Sequence, residues 1–283
     1  MAVPLAGDHD AEAELEQIEL DLLLEAIHRR YGYDFRGYAR ASLRRRLWRR
    51  ADLEGLRSLS GLQELILYDP HSMERLLGDL SINITEMFRD PGFHVALRDH
   101  VLPLIRTHPF IRIWVSGCST GEEVLSIAIM LREQELLGRS LIYATDIDAE
   151  VLAQARTGTF ALDRIQGYTR NYQAAGGTDS FSSYYTVKGG RAVFDPALLA
   201  DVVFAQHNLA GDRSFNEFHL VVCRNVLIYF GRDLQDRVLG LFDESMARRG
   251  ILALGRKETM RGTAIEDRYE ALIEAERIYR RRT

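Results

Sequence analysis

The feature that most constrains the fold is an apolar run followed at once by a glycine-containing turn and a second apolar stretch. Residues 111–115 read IRIWV, and residues 116–128 read SGCSTGEEVLSIA. This order predicts a buried strand, a tight turn at Gly117 and Gly121, and a helix, which is typical of nucleotide-binding α/β domains. The turn has neither the G-x-G-x-x-G spacing of dinucleotide-binding loops nor the Lys-Ser/Thr ending of a phosphate-binding P-loop.

Two glutamates, Glu122 and Glu123, stand where the predicted helix begins. Their carboxylates would repel a phosphate, although a helix N-terminus otherwise favours anions. The pair is compatible with a cofactor that carries positive charge, and S-adenosylmethionine has an ammonium and a sulfonium but no phosphate. For one glutamate taken alone, the simpler interpretation is that the carboxylate complements the helix dipole.

From residue 93 onward, strand-like and helix-like segments alternate. The strands are apolar throughout, which predicts a parallel sheet covered by helices on both faces, a Rossmann-like α/β fold. The predicted strands are 111–116, 141–146, 201–208, 218–225 and 250–255, and the predicted helices are 122–137, 149–156 and 232–247. Residues 157–200 interrupt this order with two β-prone runs around Gly189 and Gly190, which predicts a small inserted antiparallel β subdomain.

The N-terminal part of the chain has a different pattern. Apolar residues at helical spacing predict helices in 18–32, 36–50, 58–68 and 72–80, so residues 1–80 form an all-α N-terminal domain and residues 81–283 the α/β domain. Residues 36–50 include seven arginines. The whole chain has a net charge of −5, so an acidic protein partner suits this basic helix better than nucleic acid does.

Composition narrows the class of protein further. The two cysteines, Cys118 and Cys223, suggest neither a disulfide scaffold nor a zinc site. No run approaches the ~18 apolar residues of a membrane span, and the first residues lack a secretory pattern. We therefore expect a cytoplasmic monomer with no bound metal, no nucleic-acid partner and no direct membrane insertion.

Polar side chains stand at the carboxyl ends of three of the predicted strands. Asp146 ends the second strand, about 25 residues after the glycine turn, where this fold places a carboxylate against ribose hydroxyls. Asn208 ends the third strand, and Arg224, Asn225 and Tyr229 emerge where the fourth ends. Because ligands of open α/β sheets bind at the carboxyl edge, we expect these side chains to meet in one crevice.

Residues 81–93, SINITEMFRDPGF, precede the sheet. Asn83 and Thr85 favour turns and caps, and Arg89 with Asp90 looks like the end of one element and the start of another. On these residues alone, the simplest interpretation of the segment is a linker between the two domains.

Six blocks of the sequence, in order, resemble the motifs of the chemotaxis-receptor glutamate methyltransferases, the CheR family. The blocks are NITEMFRD, GCSTGEEVLSIAI, ATDID, HNL, CRNVLIYF and LALGRKE. The resemblance implies a Rossmann-like S-adenosylmethionine-dependent methyltransferase domain preceded by the all-α domain. It also implies a bacterial signal-transduction enzyme of chemotaxis, which esterifies glutamates on the cytoplasmic helical bundle of methyl-accepting chemoreceptors and releases S-adenosylhomocysteine.

The resemblance also implies roles for individual residues. The cofactor-binding residues would be Asn83, Thr85, Arg89, Glu123, Asp146, Asn208, Leu209, Arg224 and Asn225. Arg89 and Tyr229 would lie nearest the transferred methyl group, and Glu122 would be a surface residue that complements the helix dipole. The receptor-facing residues of the basic helix would be Arg40, Arg44, Arg45 and Arg49. In some members of the family the β insertion docks a receptor's C-terminal peptide.

The chain departs from the family pattern in several places. Met87 stands where phenylalanine is usual, Val124 and Leu125 replace a Pro-Tyr pair, and GRKE replaces a more typical Ser-Glu ending. These changes keep the expected cofactor ligands but put the substrate in doubt, and we expect any altered substrate preference to arise at Val124 and Leu125. The alternatives are a methyltransferase acting on another protein or a small molecule, and a catalytically weak S-adenosylmethionine-binding signalling module.

Overall fold

The computed structural model describes the backbone of residues 6–80 and 85–283, and the side chains of residues 11–80 and 85–283. The chain divides into two compact units. One unit contains the residues up to 82 together with Tyr229–Gln235, and the other contains Asn83–Ile228 and Asp236–Thr283. Across the described ranges, every helix is too short or too polar to cross a membrane.

The first unit is helical. Its helices in the described range are α1 (Ala6–Tyr31), α2 (Arg40–Leu53), α3 (Leu59–Tyr68) and α4 (Pro70–Leu80). Helix α3 begins where the Ser58 side chain accepts a hydrogen bond from the Gly61 amide at 3.1 Å, as an N-cap does. The core of this unit is apolar and fully buried, and its central residues include Leu23, Leu24, Ile27, Phe35, Leu47 and Leu62.

A short segment from late in the chain belongs to this helical unit. The Tyr38 and Phe230 rings meet edge to face with centroids 4.8 Å apart, and the Gly231 amide donates to the Gly37 carbonyl at 2.7 Å. These contacts explain why Tyr229–Gln235 groups with the N-terminal helices, although it lies far from them in sequence.

The second unit contains two sheets. Its strands are β1 (Ile111–Ser116), β2 (Ser140–Asp146), β3 (Thr159–Ala161), β4 (Tyr185–Lys188), β5 (Arg191–Phe194), β6 (Val202–Gln206), β7 (Phe218–Cys223), β8 (Met246–Leu254), β9 (Tyr269–Ile273) and β10 (Ile278–Arg281). The large sheet has the order β6-β2-β1-β7-β8-β10-β9. The five neighbouring strands β6, β2, β1, β7 and β8 are parallel to one another, but β10 runs antiparallel to both β8 and β9. The sheet is therefore mixed, and the expectation of a purely parallel sheet is wrong at this edge.

Helices cover this sheet. They are α5 (Pro91–Ala96), α6 (Leu102–Ile105), α7 (Glu122–Glu133), α8 (Ala149–Thr157), α9 (Leu162–Ala174) and α10 (Arg232–Glu244). A π-helical turn, Leu97–Val101, joins α5 to α6. Residues 246–247, which the sequence pattern assigns to a helix, instead begin strand β8. The Rossmann-like arrangement of helices on a central sheet is otherwise as predicted.

The insertion forms the small antiparallel sheet, with strand order β3-β5-β4. The predicted hairpin joins β4 to β5, and its turn residues Gly189 and Gly190 have φ of +54° and +71°, as a two-residue hairpin requires. Helix α9, which the sequence analysis missed, packs against this sheet. Its buried stripe consists of Ile165, Tyr168 and Tyr172.

Candidate functional site

The glycine loop follows β1 and lies against the loop that follows β7. Gly117 has φ of +71°, and a Cβ at this position would lie 2.4 Å from the Val226 side chain. The amides of Gly117 and Cys118 both donate to the Thr145 carbonyl, at 2.8 and 2.9 Å. Gly121, with φ of +93°, is the N-cap of α7. Both glycines are therefore required by backbone conformation, and the loops after β1 and β7 pack directly against each other at Gly117 and Val226.

Asp146 lies at the end of β2 and holds the glycine loop. Its carboxylate accepts hydrogen bonds from the Ser119 amide at 2.9 Å and the Asp148 amide at 3.1 Å. Burial raises the pKa of Asp146, while these two amides act in the opposite direction. Asp148 itself caps α8, because its side chain accepts the Glu150 amide. The structure thus places Asp146 beside the glycine loop, where the sequence pattern expects it.

Asn208 and Leu209 follow β6, next to the end of β2. The His207 amide donates to the Asp146 carbonyl at 3.0 Å, which brings this loop beside Asp146. The Asn208 side-chain oxygen accepts the Ala210 amide at 3.0 Å. Leu209 is buried. The two residues therefore lie at the same edge of the sheet as Asp146.

Arg224 links three segments of the second unit. Its guanidinium donates to Glu123 and to Asp90, both at 2.6 Å, and to the Arg89 carbonyl at 3.2 Å. It also lies over the Phe93 ring, 4.0 Å from the centroid. The side chain is only 3% exposed, so this is a buried charge between two carboxylates. The structure brings Arg89, Glu123 and Arg224 together, and Arg224 positions the other two.

The segment after residue 84 is part of the core, and its interpretation as a linker is wrong. Met87 and Phe88 are fully buried. The Phe88 amide donates to the Ser126 hydroxyl of α7 at 2.9 Å, and the Met87 carbonyl accepts from Asn171 of α9 at 3.0 Å. Thr85 is half-buried just before them, and Asn83 lies outside the described residues.

Glu258 is a residue that the sequence analysis did not identify as part of the site. Its buried carboxylate accepts hydrogen bonds from four backbone amides, those of Asn225, Val226, Leu227 and Gly255, at 2.6 to 3.1 Å. Asn225 has φ of +61°, an uncommon conformation that these bonds hold in place. Burial raises the pKa of Glu258. Its sequence signal is that it ends the block LALGRKE, shortly after the last apolar run of β8.

Two expectations about the start of α7 are wrong. Glu122 is fully buried. Its carboxylate accepts hydrogen bonds from Thr120 at 2.6 Å and from Arg164 and Tyr168 at 3.0 Å, which compensate for the lost water. It therefore joins the glycine loop to α9 of the insertion, and it is not a surface residue. Val124 and Leu125 are also fully buried in the core, so they present no surface on which a substrate could bind.

Tyr229 and the basic helix belong to the helical unit. The buried Arg46 guanidinium lies 4.9 Å from the centroid of the Tyr229 ring, and the Tyr229 carbonyl accepts the Ala39 amide at 2.9 Å. Two of the four predicted partner-binding arginines are paired within the chain, Arg40 with Asp21 and Arg44 with Glu16, both at 2.5 Å.

The other two predicted partner-binding arginines face solvent. Arg45 and Arg49 are exposed, and neither forms an ion pair with the side chains that the structure describes. The positive surface of α2 is therefore smaller than the arginine count suggests.

Sequence comparisons identify the family. Residues 83–274 match the family described as "CheR methyltransferase, SAM binding domain", and residues 18–81 match "CheR methyltransferase, all-alpha domain". The chain therefore belongs to the CheR family of S-adenosylmethionine-dependent methyltransferases, and S-adenosylmethionine is its cofactor.

Individual relatives agree with this assignment. The chain is 49% identical over 93% of its length to the Pseudomonas putida protein named "Putative methyltransferase Cher3", and it covers 97% of that protein. It is 30% identical to Cher2 of the same bacterium over 80% of this chain and 83% of that one, and Cher2 is named a chemotaxis protein methyltransferase. The chemotaxis protein methyltransferase of Salmonella typhimurium is 29% identical, with 83% and 82% coverage.

The residues at the carboxyl edge of the sheet fit this cofactor. The two glycines let the loop after β1 pack closely against Val226 and Ala155, and the carboxylates of Glu123 and Asp146 suit an ammonium and hydroxyl groups. The Arg224 guanidinium is already engaged by the carboxylates of Glu123 and Asp90, and both carboxylates would repel a phosphate. Such an environment favours a cationic cofactor over a phosphate.

Proposed function

We propose that this protein methylates glutamate side chains of chemoreceptors in the cytoplasm, forming glutamyl methyl esters. The observation that carries the choice of substrate is the exposed part of the basic helix, where Arg45 and Arg49 face solvent. A bundle of acidic helices offers carboxylates to such a surface, whereas a small molecule would not need it. On this proposal residues 1–80 recognise the receptor and residues 81–283 carry out methyl transfer.

The proposed cofactor site lies along the ends of β1, β2, β6 and β7. Asp146 accepts hydrogen bonds from the ribose hydroxyls, and Glu123 binds the cationic tail. Asn208 and Asn225 complete the site from the neighbouring loops. Their placement at one edge of the sheet, around the two glycines, supports this assignment. Asn83, Thr85 and Leu209 stay predictions from the family resemblance.

S-adenosylmethionine, when bound, supplies the methyl group as an electrophile that needs no further activation. A glutamate side chain has a reference pKa of about 4.3, so the substrate is already a carboxylate near neutral pH. The protein therefore needs no general base, and its residues bind, orient and exclude water. Positioning of this kind can contribute up to ~7–11 kcal/mol to catalysis.

We propose that Arg89 contacts the reacting carboxylate, while the role of Tyr229 near the methyl group stays a prediction from the family resemblance. The Arg89 carbonyl is tied to Arg224, which fixes the backbone from which the Arg89 side chain extends. The insertion is a further candidate for receptor binding. Its strand β4 lies at the edge of the small sheet, and Thr186, Val187 and Lys188 are exposed there.

Methyl transfer to a purified receptor cytoplasmic fragment, with radiolabelled S-adenosylmethionine, tests this function. We expect label that is released as methanol by base, and transfer that weakens as salt is raised. Replacing Arg45 and Arg49 together by alanine should raise the KM for the fragment with little change in kcat. Arg57→Ala, at another exposed arginine, is the matched control. Base-stable label, or equal transfer by the double variant, would contradict the proposed substrate.

A further inference from the structure

The outer face of α1 carries an apolar stripe that the described side chains leave exposed. Leu15, Ile18 and Leu22 are 59%, 50% and 54% exposed. Their spacing of three and then four residues places them on one face of the helix, as in a coiled-coil seam. The inner face, which begins at Leu20, supplies the buried residues of α1. We call the three exposed residues the α1 seam.

The first part of α1 has little packing of its own. Among the described side chains of α1, the first buried one is Leu20, so residues 11–19 contribute none to the core. Most helices in proteins owe their stability to a packed apolar face. The family's all-alpha domain match begins at residue 18, so Leu15 and the turns before it precede the part of the chain that this match covers. A partner on the seam would supply the packing that this stretch lacks.

Acidic residues line both sides of the α1 seam. Glu12 and Glu19 lie along one side, and Glu14 and Asp21 along the other, at the positions that set partner choice in coiled coils. Asp21 also pairs with Arg40, but its side chain remains 52% exposed. A second copy of this chain would bring like charges together across the seam. A helix with lysines or arginines beside its apolar stripe is complementary in both respects.

We propose that the α1 seam docks a basic amphipathic helix of another protein, so that this methyltransferase is tethered through its N-terminal helix. The interaction does not depend on methyl transfer or on the receptor-binding role of α2.

The test uses the full chain and a synthetic helical peptide of about three heptads, with leucine and isoleucine in the seam and lysines on both flanks. Fluorescence anisotropy should show saturable binding that weakens as salt is raised. A peptide with the same seam and glutamate flanks should not bind. Replacing Leu15, Ile18 and Leu22 together by glutamine should weaken binding about tenfold or more.

The control variant replaces Leu53 and Tyr68, which are exposed apolar residues outside the seam, by glutamine. It should bind the basic peptide as tightly as the unaltered chain does. Circular dichroism checks that each variant is folded. The proposal is overturned if the basic peptide does not bind, if the seam variant binds it equally, or if the acidic peptide binds as well. Sedimentation that showed the chain pairing with itself through the seam near neutral pH would also overturn it.

Discussion

The Glu258 carboxylate offers the sharpest test of how the site is built. Its two oxygens each accept two backbone amides: Val226 and Leu227 bind Oε1 at 2.8 Å, and Asn225 and Gly255 bind Oε2 at 3.1 and 2.6 Å. Glutamine can keep only one of these oxygens. The replaced oxygen becomes an NH2 group that faces two amide donors.

The expected cost of Glu258→Gln follows from these contacts. A hydrogen bond to a charged group contributes ~1.5–3 kcal/mol, so losing two costs ~3–6 kcal/mol. Burial raises the pKa of Glu258, which means that the ionised side chain is itself costly to bury and that glutamine avoids this cost. We therefore expect the lower end, a loss of ~3 kcal/mol in the free energy of unfolding.

Urea unfolding measures this loss, and calorimetric titration measures S-adenosylmethionine affinity. Because the anchored loop carries Asn225 and follows Arg224, we expect affinity to fall about tenfold in the folded variant, or ~1.4 kcal/mol. Glu270→Gln, at an exposed glutamate, is the control and should change stability by less than ~0.5 kcal/mol. If Glu258→Gln matched that control in both stability and affinity, the carboxylate would not position the loop.

Three further expectations concern single residues. Asp146→Ala should weaken S-adenosylmethionine binding ~10–100-fold in calorimetry, because hydrogen bonds to a charged group are lost. Asp201→Ala, the control, should leave the affinity unchanged. Unchanged affinity in Asp146→Ala would place the ribose elsewhere. Gly117→Ala places an alanine in a left-handed conformation with its Cβ overlapping the Val226 side chain. Urea unfolding should therefore show a loss of ~2–5 kcal/mol in the free energy of unfolding. Burial lowers the pKa of His94 well below its usual 6.5, so the unfolded chain binds a proton that the folded chain does not once the pH falls below about 6.5. As the pH is lowered further, the free energy of unfolding should decrease by up to ~1.4 kcal/mol per pH unit. The decrease should be less steep in His94→Gln and unchanged in His100→Gln, at an exposed histidine. Equal slopes in the unaltered protein and both variants would exclude His94 as the cause.

Local patterns in the sequence predicted much of the fold and part of the site. The strand, glycine turn and helix at 111–128 are contiguous, so their order alone places the loop, and Asp146 follows from the next strand. The hairpin at Gly189 and Gly190 is equally local, because two glycines in sequence favour the positive φ values of its turn.

The missed elements have weak local patterns. Helix α9 has its buried stripe on Ile165, Tyr168 and Tyr172, and two of these three residues are tyrosines, which are less distinctive of a helix core than leucine. Strands β9 and β10 mix charged and apolar residues at the edge of the sheet. The error at Glu122 follows from the first omission, since α9 supplies Arg164 and Tyr168 that bury its carboxylate.

The links within the site were beyond sequence reasoning for a different reason. Arg224 reaches Glu123 across 101 residues and Asp90 across 134, and Glu258 holds amides 31 to 33 residues away. A single sequence carries no signal for such pairs, because each depends on the order of strands in the sheet. The polar residues at the strand ends could be predicted, but which of them hold the others in place could not.

Mass spectrometry of a receptor cytoplasmic fragment, after incubation with this protein and S-adenosylmethionine, tests the central claim most directly. We expect a mass increase of one methyl group on specific glutamates, reversed by mild base and absent when those glutamates are replaced by alanine. Asp146→Ala should slow the modification at limiting cofactor, while Asp201→Ala should not. A base-stable methyl group, a methyl group on a residue other than glutamate, or no modification of any receptor fragment by the folded protein would contradict the account.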